Sequence, residues 1–235
     1  PGKPSILYRK EALPMLIDMT HTITQEIPIY PGTPAPTLAP ACTLTKDGFR
    51  ETLLTFSSHT GTHMDAPAHL LREGRTLDDM PMSQFSGRAT VLDVSGEGSV
   101  ITEEFLRSNY EAIHCADFIL FYTGWEDRWG TEGFLEDTFP VPNEAAAKYL
   151  VSRGLKGVGT DAISIDRMAD SHLPIHHILL KDSVVSIENL CLKKVRGRKD
   201  FLFFALPMKF KNTDGAPVRA FAELREANEA DRRRR

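Results

Sequence analysis

The sequence predicts a single mixed α/β domain that is rich in strands, and three observations carry this. Its 235 residues suit one compact unit with a substantial core. Apolar runs of strand length outnumber helical patterns and do not alternate strictly with them, which argues against a doubly wound nucleotide fold. No internal repeat and no shift in composition marks a second unit. With 41% hydrophobic and 26% charged residues, the chain has the balance of a soluble globular protein.

The first strand is expected over residues 15–20. Residues 28–40 carry Pro28, Pro31, Pro34, Pro36 and Pro40, which forbids regular helix and predicts a rigid extended loop. Lys46-Asp47-Gly48 reads as a turn between a short strand at 42–45 and a longer one at 49–58. Residues 89–94 have the composition of a buried strand. A short helix over 102–110 is capped by Thr102. Residues 118–122 form another apolar strand, followed by a loop over 123–140 with both tryptophans, Trp125 and Trp129. Residues 143–153 are the clearest helix, opened by Pro142-Asn143 and closed by Gly154. A strand at 156–160 presents Asp161, Ser164 and Asp166 beyond its end. A short helix near 176–180 leads into a strand at 184–187 that ends on Glu188. Strands at 201–206 and 217–223 close the domain, with a frayed helix expected at 224–231.

A net charge of −4 gives no general attraction to nucleic acid or to an anionic membrane. Arg232-Arg233-Arg234-Arg235 reads as a solvated tail, so 226–235 is expected to lie outside the domain and to bind no nucleic acid. Cys42, Cys115 and Cys191 lack C-x-x-C spacing and are odd in number, which fits a reducing, cytoplasmic setting without a disulfide framework. No apolar run approaches the roughly 20 residues of a membrane span. Residues 1–14 lack the apolar centre of a secretory signal and read as an N-terminal arm or an expression remnant. The domain is therefore expected over 15–225.

The chemistry concentrates in His59-Thr60-Gly61-Thr62-His63-Met64-Asp65-Ala66-Pro67-Ala68-His69. Three of the protein's eight histidines and one carboxylate fall in this stretch, and these donors suit zinc, manganese or iron. A helix is disfavoured, because Thr60, Gly61 and Thr62 are weak helix formers and Pro67 breaks the next turn. In an extended chain, His59, His63 and Asp65 share one face. A straight strand would hold His59 roughly 13 Å from His63, at about 3.3 Å per residue. A bend is therefore expected at Gly61, with His69 returning after the turn at Pro67.

The pattern H-x-G-T-H-x-D-x-P-x-H resembles the signature of the metal-dependent cyclase family, which includes bacterial kynurenine formamidase (arylformamidase) and isatin hydrolase. The resemblance extends over roughly 15–225. It also covers Tyr30-Pro31-Gly32, Thr123-Gly124-Trp125, Gly159-Thr160-Asp161, Ser164-Ile165-Asp166, and His176 followed twelve residues later by Glu188-Asn189-Leu190. It implies a swivelling β/β/α fold with a barrel-like mixed sheet, usually seen as a homodimer.

The resemblance also implies the roles of individual residues. His59, His63 and Asp65 would be ligands of one ion, with Asp65 able to bridge to a second ion held by His176 and Glu188. Two Zn²⁺ per chain are expected, with Mn²⁺ as the alternative. His69 would act as general acid/base, managing the proton of the nucleophile and of the departing nitrogen. Tyr30 stands where the formamidase branch often has tryptophan; beyond the resemblance, a substrate-binding wall is expected from Tyr30 with an aromatic of the following tryptophan loop, Trp125.

The implied reaction is hydrolysis of a small amide, with an arylformamide such as N-formylkynurenine as the leading candidate. In such sites a metal-bound water is acidified to hydroxide. Cyclic amide or lactone hydrolysis, and metal or ligand binding without turnover, are the competing expectations. The chain has no G-x-S-x-G elbow. It also lacks the G-x-x-x-x-G-K-[ST] and G-x-G-x-x-G patterns of phosphate and dinucleotide sites.

Overall fold

The structure is a computed structural model and describes residues 14–224. The expected arm lies outside these residues except for Pro14, as do the tail and most of the terminal helix. The strands in chain order are β1 Met15–Asp18, β2 Thr37–Cys42, β3 Glu51–Thr55, β4 His63–Asp65, β5 Ser86–Asp93 and β6 Val100–Ile101. They continue as β7 Phe118–Tyr122, β8 Val141–Pro142, β9 Gly157–Thr160, β10 Val185–Glu188, β11 Phe201–Pro207 and β12 Gly215–Leu224. The helices are α1 Leu44–Asp47, α2 Glu103–Ser108, α3 Tyr110–Ile113, α4 Glu144–Ser152 and α5 Pro174–Lys181.

Seven strands close into a barrel in the order β12-β11-β5-β7-β9-β10-β4, with β4 returning to pair with β12. Pairing is parallel from β5 through β7 and β9 to β10, and antiparallel elsewhere in the ring. The long β12 makes closure possible. Its first residues, Gly215–Pro217, pair with β4, and its last, Phe221–Leu224, pair with β1. This is the α/β barrel with packed helices that the family resemblance implies.

Strand alternation separates two faces. Met64, Phe118, Leu120, Val185, Ile187, Phe203 and Ala220 point into one continuous buried core. Alternate residues such as Ile119, Phe121 and Val158 face outward and are covered by Leu106, Ile113, Leu150 and Leu179 of the helices. A third cluster, with Trp125, Phe134, Phe139 and Ile163, lies beneath the 123–140 segment.

The helix caps follow the sequence. Thr102 Oγ1 accepts the Phe105 N–H at 3.2 Å, and Asn143 Oδ1 accepts the Ala146 N–H at 2.9 Å. The first ribbon differs from expectation. The strand expected at 42–45 lies earlier, as β2, and includes Pro40, while Leu44–Asp47 form a helical turn. The ribbon β2–β3 is only two-stranded, with a register irregularity between Pro40 and Cys42. An edge position tolerates proline because no partner needs its missing N–H.

Candidate active site

β4 sets the geometry of the site. Met64 turns into the barrel core, so its neighbours His63 and Asp65 turn outward, and all three are buried. Antiparallel pairing places Glu188 of β10 opposite His63. The expected bend is present at Gly61, where φ is +64°. It brings His59 back beside β4, with Nδ1 2.7 Å from Asp65 Oδ1. The 3₁₀ turn Pro67–His69 then returns His69, whose ring centroid lies 4.2 Å from that of His59.

α5 supplies the opposite wall, burying His176 and exposing its neighbour His177. Asp166 reaches the start of this helix, accepting the backbone N–H groups of Ile175 and His176 at 2.9 Å and His176 Nδ1 at 2.8 Å. His63 donates from Nδ1 to the Gly61 carbonyl at 2.8 Å. Both rings thus present Nε2 to the centre of the site. Glu188 is steadied by the Ile165 N–H at 2.8 Å.

Distances across the centre test whether a metal fits. His63 Nε2 lies 3.4 Å from Asp65 Oδ1 and 3.5 Å from Glu188 Oε2. His176 Nε2 lies 3.3 Å from Asp65 Oδ2 and 3.1 Å from Glu188 Oε1. Donors about 2.0–2.1 Å from a shared tetrahedral ion would be roughly 3.3 Å apart. The donor set fits divalent cations as two triads, His59–His63–Asp65 and Asp65–His176–Glu188. Asp65 is common to both and offers one oxygen to each side.

The electrostatics agree. Burial alone would raise the Asp65 pKa, but His59, His63 and His176 outweigh it and hold the carboxyl well below its usual range. Burial opposes charge on His59 too, yet Asp65 and Asp214 push its pKa up to about 9. His176 is likewise raised against burial, by Asp166, Asp65 and Glu188. His69 goes the other way: burial, with the neighbouring His59 and His176, lowers its pKa.

These groups open onto a cavity of about 220 Å³. Tyr30, Ile29, Ile163, Ser164 and Leu173 form its remaining walls, together with Asn189. Tyr30 is held by its hydroxyl, which donates to the Met168 carbonyl at 3.4 Å. Leu173 takes a left-handed conformation, with φ at +46°. That is unusual for leucine.

The structure therefore brings together His59, His63, Asp65, His69, His176, Glu188 and Tyr30. It does not bring Trp125, which packs in the third cluster with its Nε1 donating to the Phe134 carbonyl at 2.9 Å. The indole is large and apolar, and the 123–140 segment uses it as its own core. Thr123 and Asp161 are also structural. The Asp161 carboxylate accepts the Thr123 hydroxyl and the N–H groups of Thr123 and Gly124, and burial raises its pKa to about 6. Sequence reasoning missed Asp214, whose Oδ2 lies 2.9 Å from His59 Nε2 and 3.4 Å from His69 Nδ1. Its only signal was the Asp-Gly pair at 214–215.

A closed barrel with buried imidazole and carboxylate triads on its outer face defines a metal-dependent hydrolase fold. The profile of the Cyclase family matches residues 17–167, and the chain belongs to that family. A kynurenine formamidase of Salinibacter ruber is 33% identical over 212 residues, spanning 87% of this chain and 95% of that one. A structure described as a potential metal-dependent hydrolase with cyclase activity is 30% identical, with a TM-score of 0.72 over 91% of this chain and 100% of the other. An isatin hydrolase bound to thioisatinate shares the fold with a TM-score of 0.81, at 23% identity and with 91% and 93% of the two chains covered.

Proposed function

We propose that the protein is a metal-dependent hydrolase of a small amide, with arylformamides of the N-formylkynurenine type as its substrates. The observation that carries this reading is the buried ligand set: two triads sharing Asp65, beside a cavity into which His69 also faces. Similarity to a curated kynurenine formamidase over nearly its whole length supports the choice of amide. His59, His63 and Asp65 would hold one ion, and Asp65, His176 and Glu188 a second. We take the ions as Zn²⁺, with Mn²⁺ served by the same donors. Bound there, the metal supplies Lewis acidity and acidifies water near neutral pH.

The chain's own residues supply orientation and proton transfer. Asp166 and the Gly61 carbonyl fix the rings of His176 and His63, so that only Nε2 of each faces the ions. His69 has Nδ1 towards Asp214, which leaves Nε2 for the cavity. Burial, with His59 and His176 nearby, lowers its pKa and so favours the neutral ring, which can accept a proton at Nε2 from the attacking water. Returning that proton to the departing nitrogen lets an amine leave in place of an amide anion. Water and the formamide thereby become formate and the free amine. Tyr30 and Ile29 offer an aromatic and apolar wall to an aryl group.

We further propose a homodimer, since Met15, Leu16, Leu53 and Leu54 are each more than half exposed, and a cytoplasmic setting, which the free Cys42, Cys115 and Cys191 favour. A hydrolysis screen of the Zn²⁺-reconstituted protein against N-formylkynurenine, simple aryl formamides, isatin and lactones tests the function. Turnover of aryl formamides is the expected result. Turnover confined to isatin or to a lactone would replace the substrate class. Bound metal without turnover of any of them would replace the enzyme reading with a binding one.

A further inference from the structure

His59 is the one proposed ligand that no strand or helix holds, and its ring is gripped from both ends. Nδ1 faces Asp65 Oδ1 at 2.7 Å, and Nε2 faces Asp214 Oδ2 at 2.9 Å. A neutral imidazole carries one proton, so the nitrogen that offers a lone pair to a cation obliges the other to be N–H. Carboxylates face both nitrogens, so once a cation takes the lone pair of Nδ1 on the Asp65 side, the carboxylate at Nε2 holds the remaining N–H.

The backbone around Asp214 is built to hold this contact. Its carbonyl accepts the Ala66 N–H at 2.8 Å, tying it to the residue after β4. At Gly215, a Cβ would come 2.8 Å from His59 Cε1 and 2.9 Å from the Met64 carbonyl oxygen. Asp214 and Gly215 thus form a seat: the glycine admits the ring and the carboxylate holds its far nitrogen. The same Oδ2 reaches His69 Nδ1 at 3.4 Å, so one carboxylate orients both imidazoles.

We propose that Asp214 is a positioning residue that aims His59 Nδ1 at a metal ion and His69 Nε2 at the cavity. The inference rests on the metal-dependent reading above. His59, His69 and Asp214 are close enough to hold a cation themselves. With an ion also on the Asp65 side, however, His59 would have to give up both ring protons. The carboxylate contact at Nε2 requires no such step.

The test is Zn²⁺ affinity, measured by competition with a chromogenic chelator on the wild type, Asp214→Ala and Asp214→Asn. Thermal melts of the metal-free proteins run alongside to register folding. Losing a carboxylate behind a metal-bound histidine typically weakens binding about 10–100-fold. Asp214→Ala should show a loss of this size for one class of site. Asp214→Asn should recover part of it, because an amide oxygen still accepts from Nε2–H. At saturating Zn²⁺, Asp214→Ala should lower kcat more than it raises KM, because His69 has lost its guide. Unchanged Zn²⁺ affinity in both variants would overturn the proposal. So would loss of a third ion with the other two sites intact, since Asp214 would then be a ligand. Wild type that binds no Zn²⁺ would overturn the metal-dependent reading itself, and this inference with it.

Discussion

Metal affinity should rise steeply with pH, and the structure gives the size of the effect. The perturbation is removal of the ions by chelation, followed by Zn²⁺ titration between pH 6.5 and 9. In the metal-free site, Asp65 and Asp214 raise the His59 pKa to about 9 despite burial. At pH 7 roughly one molecule in a hundred then has this ring neutral and able to bind metal. Displacing the proton costs about 2.7 kcal/mol, two pH units at 1.36 kcal/mol each. His59 alone should therefore weaken binding about 100-fold at pH 7 relative to a fully neutral ring, and about 50-fold relative to pH 9.

His176, in the second triad, is shifted in the same direction, so log affinity for each ion should rise with a slope of about one below the pKa of its own histidine. Chelator competition gives the affinity, and a pH indicator in weak buffer counts the protons released. A flat profile without proton release would refute the argument, because the rings would already be neutral and there would be no proton for the metal to displace. The sign for folding is opposite. A His59 pKa raised from 6.5 stabilises the metal-free protein below that value, and this support is lost as pH rises through about 9. The metal-free melting temperature should fall over that window.

Other substitutions separate the roles. His69→Ala should keep its metal yet lose roughly 10²–10⁴ in kcat on an amide, and less on an activated ester whose leaving group needs no proton. Elemental analysis beside kinetics checks this, and a metal-free His69→Ala would make His69 a ligand. His63→Ala should lose metal and activity together, whereas Glu188→Ala should lower the count from two ions to one. An unchanged count after Glu188→Ala would leave a single-ion site. Gly215→Ala forces His59 or the Met64 backbone to move and should weaken Zn²⁺ binding; wild-type affinity would remove the seat from the argument. Tyr30→Ala should raise KM for the best aryl formamide, and an unchanged KM would take Tyr30 out of the cavity's function.

Much of the site was legible locally. Two-residue alternation in His63-Met64-Asp65 commits both candidate donors to one face once Met64 is buried, and Gly61 marks the bend that returns His59. The helix caps at Thr102 and Asn143 were equally plain, because a cap is a contact between residues three apart. The ribbon was misplaced because residues 28–40, with five prolines, were read as one extended loop, and only an edge position makes Pro40 acceptable in a strand. Where Trp125 packs was not legible, because an aromatic in a loop packs a local core and lines a cavity with the same side chain.

By itself the sequence determined the metal-type loop, the donors it carries and the class of chemistry they allow, since these depend on residue type and short spacing. Only the tertiary structure decided which distant residues meet those donors. Glu188 stands opposite His63 because β10 and β4 pair in one register, and His176 faces Asp65 because Asp166 anchors α5 there. Asp214 reaches His59 because β12 closes the barrel against β4, 155 residues along the chain. Such contacts depend on strand register and ring closure, and no local pattern encodes them.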